Sequence, residues 1–588
     1  MIDTFMQIEH IRHSLSHILA MAVLKQFPHA KLGIGPVIEN GFYYDFLLSE
    51  APAPDMLKSL EKEMRSIIKK KLPFKGEKIT ASEAKKRLNH QPFKSELIDE
   101  LAKEGKELTL YYTGEVFFDL CKGGHVQNTS EISADAFTLT HVAGAYWRGD
   151  EKREQLQRIY GLAFQTRKEL DAHLAMLEEA KKRDHKILGP KLDLFLFSEL
   201  VGPGLPLWTP KGTLVRNILD EAVWQLRHER GYQKVEIPHI TKKELYEKSG
   251  HWEKFKDELF KIESREGHTF AMKPMNCPHH TQIYSRKLWS YRELPQRYAS
   301  TTMCYRDEQT GELSGLSRLR AFTQDDSHVF CRQSQIKEEI AATWGIVNSF
   351  YKKVDLSTRV RLSLHDPENF KNYLGTAALW QKTETQLREI AKTNNVDPEE
   401  AIGEAAFYGP KIDFIAKDSL GREWQLATIQ LDINLPERFD LTCVNEEGGK
   451  ERIVMIHIAI MGSIERFLSI LIEHLAGAFP FWLSPVQAKI LTISEEVVNY
   501  AREVLSTLEK HNLRVELDDR NESIGKKIRE GELQKIPYLL VIGKKEAEEQ
   551  KIAIRKRGED DKGAMSLKEF IKITKIQEAR IQTNSNGQ

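Results

Sequence analysis

The chain has 588 residues, of which 29% are charged, with 86 basic and 86 acidic side chains and five cysteines. A length of this order exceeds what one hydrophobic core supports, so roughly three or four domains are expected. No run approaches the roughly 20 apolar residues that span a bilayer, and zero net charge gives no compositional sign of nucleic-acid binding, so any RNA contact has to come from local patches. His, Arg and Glu interrupt the N-terminus MIDTFMQIEHIRHSLSHILA where an export signal needs an apolar run. Cys121, Cys277, Cys304, Cys331 and Cys443 are too dispersed for a disulfide framework. A cytoplasmic protein without membrane contact is expected.

Residues 1–150 mix the two periodicities. RHSLSHILAMAVLKQF spaces its apolar residues as a helix does, whereas GFYYDFLL and LTLYYTGEVFFDL carry the aromatic residues of strands. This predicts a compact α+β unit. The basic run KEMRSIIKKKLPFKGEK at 62–78 is one such local patch, although such runs are usually a solvated helix face. In HSLSH, His13 and His17 are four apart and share a helix face, and CKGGH adds Cys121 and His125. The quartet is either a zinc-site candidate or a polar cluster. Residues 151–186 are charged and nearly free of Gly and Pro, which predicts a connecting helix.

From 187 to 483 short apolar strand candidates alternate with helices, making this the largest domain. In it, YRDEQTGELSGLSRLRAFTQDDSHVF strings Arg306, Glu308, Arg318, Arg320 and Phe322 through two strand-like runs joined by a Gly/Ser turn, which implies a hairpin. The arginines suit phosphate and the aromatic face suits adenine, but salt bridges along a hairpin account for the same spacing. Further on, IHIAIMGSIERFLSIL puts Ser463 and Arg466 where an apolar run meets a helix. Residues 484–578 alternate strand and helix as βαβ units do, and 579–588 read as a disordered tail.

Taken together, these segments resemble class II aminoacyl-tRNA synthetases. The Arg306 hairpin is similar to their motif 2, GSIERF (462–467) to motif 3, and GYQKVEIPHI (231–240), with Pro238 after a long helix, to the dimer-forming motif 1. KPMNCPHH (273–280), FTQDDSHVFC (322–331), AFYGPKIDF (406–414) and WQLATIQLD (424–432) narrow the resemblance to the threonyl family, over nearly the whole chain. It implies a multidomain α/β and α+β fold with an N-terminal α+β editing domain (1–150) and a linker helix (151–186). A class II catalytic domain built on an antiparallel sheet with flanking helices (187–483) and a C-terminal α/β anticodon-binding domain (484–578) follow. The implied activity is attachment of threonine to tRNA(Thr) through a threonyl-adenylate, with hydrolysis of mischarged Ser-tRNA(Thr), by a homodimer. A prolyl- or seryl-type enzyme shares the ATP motifs without this joint set of segments. A non-catalytic relative would have lost some of Arg306, Arg318 and Arg466, all of which are present. A free-standing deacylase accounts only for the first 150 residues.

Residue by residue, the resemblance assigns Cys277, His328 and His457 to a catalytic Zn²⁺, although no local spacing joins them. One thiolate with two imidazoles suits that ion and leaves a fourth position open. It gives Asp326 the threonine hydroxyl, Gln324 with Arg306 the carboxylate, and Met275 and Tyr408 the pocket wall. ATP, arriving with Mg²⁺, would meet Arg306, Glu308, Arg318, Phe322, Gln425, Thr428, Ser463 and Arg466, and transfer to tRNA would use His251 with Lys411 and Gln430. For editing it assigns His13, His17, Lys94, Asp119, Cys121 and His125, with Tyr44 and Asp45 nearby and metal occupancy left open. Glu546 and Arg555 fall at anticodon-reading positions. Three departures from the family pattern are the lack of a small ubiquitin-like domain before His13, Ile458 where Arg is common, and His279 where Gly is usual.

Overall fold

The computed structural model describes residues 2–49, 55–432, 434–559 and 561–583. Its contacts group into two units, one ending at Glu178 and one beginning at Glu179. No helix among the described residues is long and apolar enough to cross a membrane.

In the first unit the helix Ile2–Gln26 carries His13 and His17, and its Leu15, Ile18, Leu19 and Val23 are buried in the core. It packs on an antiparallel sheet ordered 31–32, 41–47, 155–163, 137–146, with 37–38 also pairing with 41–47. A second sheet of strands 74–79, 108–113 and 117–120 contains the strand-like LTLYYT and FFDL, which pair with each other antiparallel. The basic run is the helix Met56–Lys69 followed by the strand Phe74–Ile79. Leu60, Met64, Ile67 and Ile68 face inward while Lys62, Lys69, Lys70 and Lys71 are exposed, so it is a solvated face.

The expected connecting helix needs correction at its start. Residues Gln155–Ala163 form a strand at the centre of the first sheet, between 41–47 and 137–146, and the helix runs only from Arg167 to Arg183. Pairing on both edges and burial of Leu156, Ile159 and Ala163 override the local helix propensity of this charged stretch. Gly161 is required there, because a Cβ would stand 2.5 Å from the Phe42 ring on the neighbouring strand. The α+β unit therefore extends past residue 150.

The second unit is built on an eight-stranded sheet ordered 233–234, 296–305, 321–331, 454–463, 423–432, 411–417, 358–364, 399–402. Its six inner strands are antiparallel and its two edge strands pair in parallel. One face is closed by the helices Pro210–His228, Ile336–Lys353 and Ile464–His474, whose Val215, Leu219, Val347, Phe350, Phe467 and Leu471 join the largest core. Thr209 starts the first of these helices, its hydroxyl accepting from Gly212 N with Pro210 behind it, as an N-cap followed by Pro favours.

Beyond residue 484, strands 515–518 and 538–542 flank 488–492 in parallel, as βαβ units require, while 551–556 and 564–566 add antiparallel edges. This part is anchored to the preceding one by Arg557, whose guanidinium donates to the carbonyls of Ala478 and Phe479 at 3.2 and 2.6 Å. The last helix, Leu567–Thr583, overruns the start of the expected tail, and 584–588 lie outside the described residues.

Candidate active site

The pleat of the strand Ala321–Cys331 divides its residues between core and site. Side chains alternate along a strand, so Val329 and Cys331 join the helix-covered core while Phe322, Gln324, Asp326 and His328 share the other face. Neighbouring strands continue the division: Ile456, Ile458, Ala427, Ile429, Leu431, Ile412 and Phe414 are core residues, and His457, Thr428, Gln430 and Lys411 stand between them. The register sets His328 opposite His457, His457 opposite Gln430, and Gln430 opposite Lys411 in one row across four strands. A bulge at Asp326 breaks the pairing with 454–463. The carboxylate of Asp325 holds the bulge from the core side, accepting from Ile460 N and Met461 N at 3.0 and 2.9 Å and pairing with buried Arg227.

Cys277 begins the helix Cys277–Tyr284 and points into this row, so that one ligand atom each from Cys277, His328 and His457 lies within 4.8 Å of the others. His328 Nε2 and His457 Nδ1 stand 3.1 Å apart. Two nitrogens bound to one tetrahedral zinc are about 3.3 Å apart, given bonds of about 2.0 Å. Outer partners fix the imidazoles: His457 Nε2 donates to Asp432 Oδ2 at 2.8 Å, and His328 Nδ1 meets His280 Nδ1 at 2.8 Å, with His280 Nε2 3.1 Å from Ser300 Oγ. If His280 donates to Ser300 and accepts from His328, both inner nitrogens turn lone pairs toward each other, an arrangement that a cation relieves. Burial keeps His328 far below the usual imidazole range and the Cys277 thiol far above the usual thiol range. The donor set fits a soft divalent ion whose binding displaces the thiol proton.

The residues expected to meet the amino acid lie around the row. Asp326 is buried and accepts from Asn276 Nδ2 at 3.1 Å, and desolvation raises its carboxyl to about 6. Tyr408 stacks on His457 with ring centres 4.9 Å apart and donates to Gln430 Oε1 at 2.7 Å. Gln324 lies near Cys304. His251 is not a surface residue: it is fully buried, its Nδ1 2.9 Å from Ser249 Oγ and its Nε2 3.6 Å from Cys277 Sγ, and burial lowers it to about 3.

On the other side of Gln324, Arg306 lies 5.3 and 5.2 Å from the ring centres of Phe255 and Phe322, and one of its amines reaches Met275 Sδ at 3.5 Å. Its Nε is buried without a partner among the described residues, a donor left for a ligand. Arg318 pairs with Glu308 at 2.7 Å. Ser463 caps the helix Ile464–His474 by accepting from Arg466 N at 3.2 Å, and burial lowers the Arg466 guanidinium from its usual range. No carboxylate pairs with Arg466 among the described residues. Gln425 and Thr428 both donate to Asp413 Oδ1, at 2.8 and 2.9 Å, while Lys411 and Ser363 hold Oδ2 at 3.1 and 2.6 Å.

Sequence reasoning missed Asp413, Asp432, His280 and Asn276, the buried partners that orient these groups. All four lie inside the quoted segments: Asp413 and Asp432 on strands of the sheet, Asn276 and His280 at the helix that begins with Cys277, and no local spacing marks them. Ile458 faces the core, away from His457, and His279 is buried near Tyr246 with neither ring nitrogen partnered among the described residues.

In the first unit the CKGGH loop turns through positive φ at Gly123 and Gly124, bringing Cys121 and His125 over the helix that holds His13 and His17. Cys121 Sγ sits 3.4 Å from His13 Nε2 and 3.2 Å from His125 Nε2, and Ser14 Oγ lies 3.3 Å from His125 Nδ1. Burial raises the thiol to about 11 and lowers all three imidazoles, so the quartet is neutral. Asp119 lies beside it, paired with buried Lys94 at 2.7 Å and accepting from Tyr44 OH. His13, His17, Tyr44, Lys94, Asp119 and Cys121 line one cleft. Asp45 is a structural residue, its carboxylate held by Arg158 at 2.7 and 2.9 Å. In the last domain Glu546 accepts from Gly543 N at 2.9 Å and caps a short helix, whereas Arg555 is 43% exposed.

An antiparallel sheet that presents the Arg306 hairpin, the Ser463-capped helix and an edge strand after a long helix defines a class II aminoacyl-tRNA synthetase core. The pattern of the tRNA synthetase class II core domain (G, H, P, S and T) matches residues 260–475. That of the anticodon binding domain matches 487–577, and that of the threonyl and alanyl tRNA synthetase second additional domain matches 108–160. A threonine–tRNA ligase of Gloeobacter violaceus is 49% identical over 96% of this chain and 91% of its own length. One from Clostridium tetani is 47% identical over 95% and 86%. The chain also resembles a crystal structure described as the RNA binding domain of threonyl-tRNA synthetase from Cryptosporidium parvum Iowa II. That likeness has a TM-score of 0.64 and 37% identity, covering 67% of this chain and 98% of the other. The chain belongs to the threonine–tRNA ligase family.

Proposed function

We propose that this chain joins threonine to tRNA(Thr) at the expense of ATP and hydrolyses Ser-tRNA(Thr) in its first unit. The observation that carries the reading is the row of Cys277, His328 and His457 beside Asp326, on the sheet face that also presents Arg306 and Phe322. Cys277, His328 and His457 would hold Zn²⁺, which would supply coordination for both the amino group and the hydroxyl of threonine by adding a fifth ligand, and valine has no hydroxyl to offer it. Asp326 accepts the hydroxyl proton, and Gln324 with Arg306 holds the carboxylate. Adenine stacks on Phe322, and Arg306, Arg318 and Arg466 stabilise charge on the phosphates as the carboxylate attacks the α-phosphorus and pyrophosphate leaves, where Mg²⁺ brought by ATP would add to that stabilisation. Asp413 sets the amide of Gln425 and the hydroxyl of Thr428 toward the nucleotide.

His251 beside Cys277, with Gln430 and Lys411 in the same row, is proposed to serve transfer to the tRNA ribose. Serine keeps the hydroxyl and lacks one methyl, a difference worth about 1–3 kcal/mol, so the neutral His13, His17, Cys121 and His125 cluster supports a water-directing hydrolytic role. Residues 187–483 and 484–578 are proposed as catalytic and anticodon-binding domains, with half-exposed Arg555, loosely paired with Asp561 at 4.0 Å, turning to an unstacked base and Glu546 fixing the turn at Gly543. Exposed Phe197, Leu200 and Leu207 near the long helix support burial against a second copy in a homodimer, and the reading fits the cytoplasm.

ATP–pyrophosphate exchange with threonine, serine, valine and proline, before and after chelation, tests the proposal. Metal-dependent exchange with threonine, weaker with serine and absent with valine, is expected; exchange with proline would overturn it. Asp432 gives a narrower test. Asp432→Ala frees His457 to rotate and is expected to weaken zinc binding by about 10–100-fold, read by competition with a chromophoric chelator.

A further inference from the structure

Where the helix Arg167–Arg183 ends, Asp184, His185 and Glu473 bring ligand atoms within 4.8 Å of one another. Both ring nitrogens of buried His185 already have partners, so the group is a hydrogen-bond relay rather than an ion site. Nδ1 lies 2.6 Å from Glu473 Oε1, which also accepts from the His185 backbone N at 3.1 Å. Glu473 Oε2 is held by Arg422 at 2.6 Å, and hydrogen bonds from His185 and Arg422 keep this carboxyl down at about 2. An ionised Glu473 fixes the proton on Nδ1 and leaves Nε2 as an acceptor.

That acceptor receives Leu316 N at 3.0 Å. Leu316 is buried at the tip of the hairpin between Glu308 and Arg318, in a turn closed by Ser314 N to Arg318 O at 3.2 Å and Ser317 N to Ser314 O at 2.8 Å. Beside it, Ser317 Oγ meets Ser469 Oγ at 3.0 Å on the helix Ile464–His474. Gly315 has φ +51°, and a Cβ there would lie 2.3 Å from His185 Nε2. The imidazole therefore fills the gap between the hairpin tip and the helix that carries Arg466 and Glu473.

We infer that His185 is a positioning residue for ATP: it clamps the hairpin tip to the Ser463-capped helix and so sets where Arg318 stands. This rests on the proposal that Arg318 meets the nucleotide. The clamp acts through one acceptor atom, so the two amides that replace an imidazole have different effects. Asparagine keeps a donor toward Glu473 and is too short to reach Leu316, whereas glutamine places an oxygen near the Nε2 position.

His185→Asn is expected to raise the ATP dissociation constant, measured calorimetrically, and the ATP KM about tenfold, with the threonine KM within about twofold of the unsubstituted chain. His185→Gln should restore most of the loss, and Gly315→Ala, which pushes on the ring from the other side, should reproduce it. Equal ATP dissociation constants in all four proteins overturn the inference. So does a His185→Asn defect that glutamine fails to restore and that falls equally on threonine affinity and the thermal midpoint, since that pattern is a loss of packing. The dissociation constants judge the clamp by themselves; exchange by the unsubstituted chain separately judges the activity it rests on.

Discussion

Cys277→Ala is expected to lower threonine-dependent pyrophosphate exchange about a thousandfold or more while the chain stays folded. The substitution removes the only soft ligand of the triad and leaves His328 Nε2 facing His457 Nδ1 at 3.1 Å, a pair too weak to retain an ion with an open position. Bound metal, measured by elemental analysis, should fall with the activity. The same site predicts a pH effect of defined sign. Burial raises the Cys277 thiol, so metal uptake displaces a proton, and apparent affinity should drop by about tenfold for each unit that the pH falls. Full exchange activity in a metal-free Cys277→Ala protein would remove the metal from the proposed mechanism.

The second large effect is expected in the first unit. Cys121→Ala or His13→Ala should leave the rate of threonine attachment unchanged while hydrolysis of Ser-tRNA(Thr) falls about a hundredfold or more, so that the mischarged product accumulates. With its thiol near 11, Cys121 remains protonated at neutral pH, placed to share hydrogen bonds with His13 and His125 rather than to attack as a thiolate. Hydrolysis should then survive alkylating reagents that react only with thiolates. Parallel assays of both activities decide the matter: an equal loss of attachment and hydrolysis in either variant would dissociate the cluster from proofreading.

Much of the candidate site was legible in the sequence because its residues alternate with core residues along strands. In FTQDDSHVFC the positions that the family reserves for ligands fall two apart, and the pleat brings them to one face without further assumptions. The quartet of the first unit was legible because helical spacing fixes His13 and His17, and two glycines allow Cys121 and His125 to close on them. The strand Gln155–Ala163 was not, since it lies among charged, helix-favouring residues and only its two neighbours in the sheet make it extended. Nor were Asp432 and Asp413, whose roles depend on cross-strand register that no local spacing reveals, nor His280, which reaches His328 from a helix. The burial of His251 was hidden for a related reason: the residues that bury it, Phe255, Phe407 and Tyr408, come partly from a segment more than 150 positions away.

The alternation along Ala321–Cys331 also governs how such a protein can change over time. A substitution at Gln324 or Asp326 alters only what the pocket sees, since the neighbouring side chains that hold the sheet to its helices are untouched. Amino-acid preference can thus drift by single replacements without loss of the scaffold. Gain or loss of one residue within the strand would invert it, sending Asp326 and His328 into the apolar layer and Val329 into the pocket at once. Descendants of this chain are therefore free to vary in the chemistry of these positions but not in their number, and length changes are confined to the connections outside the sheet.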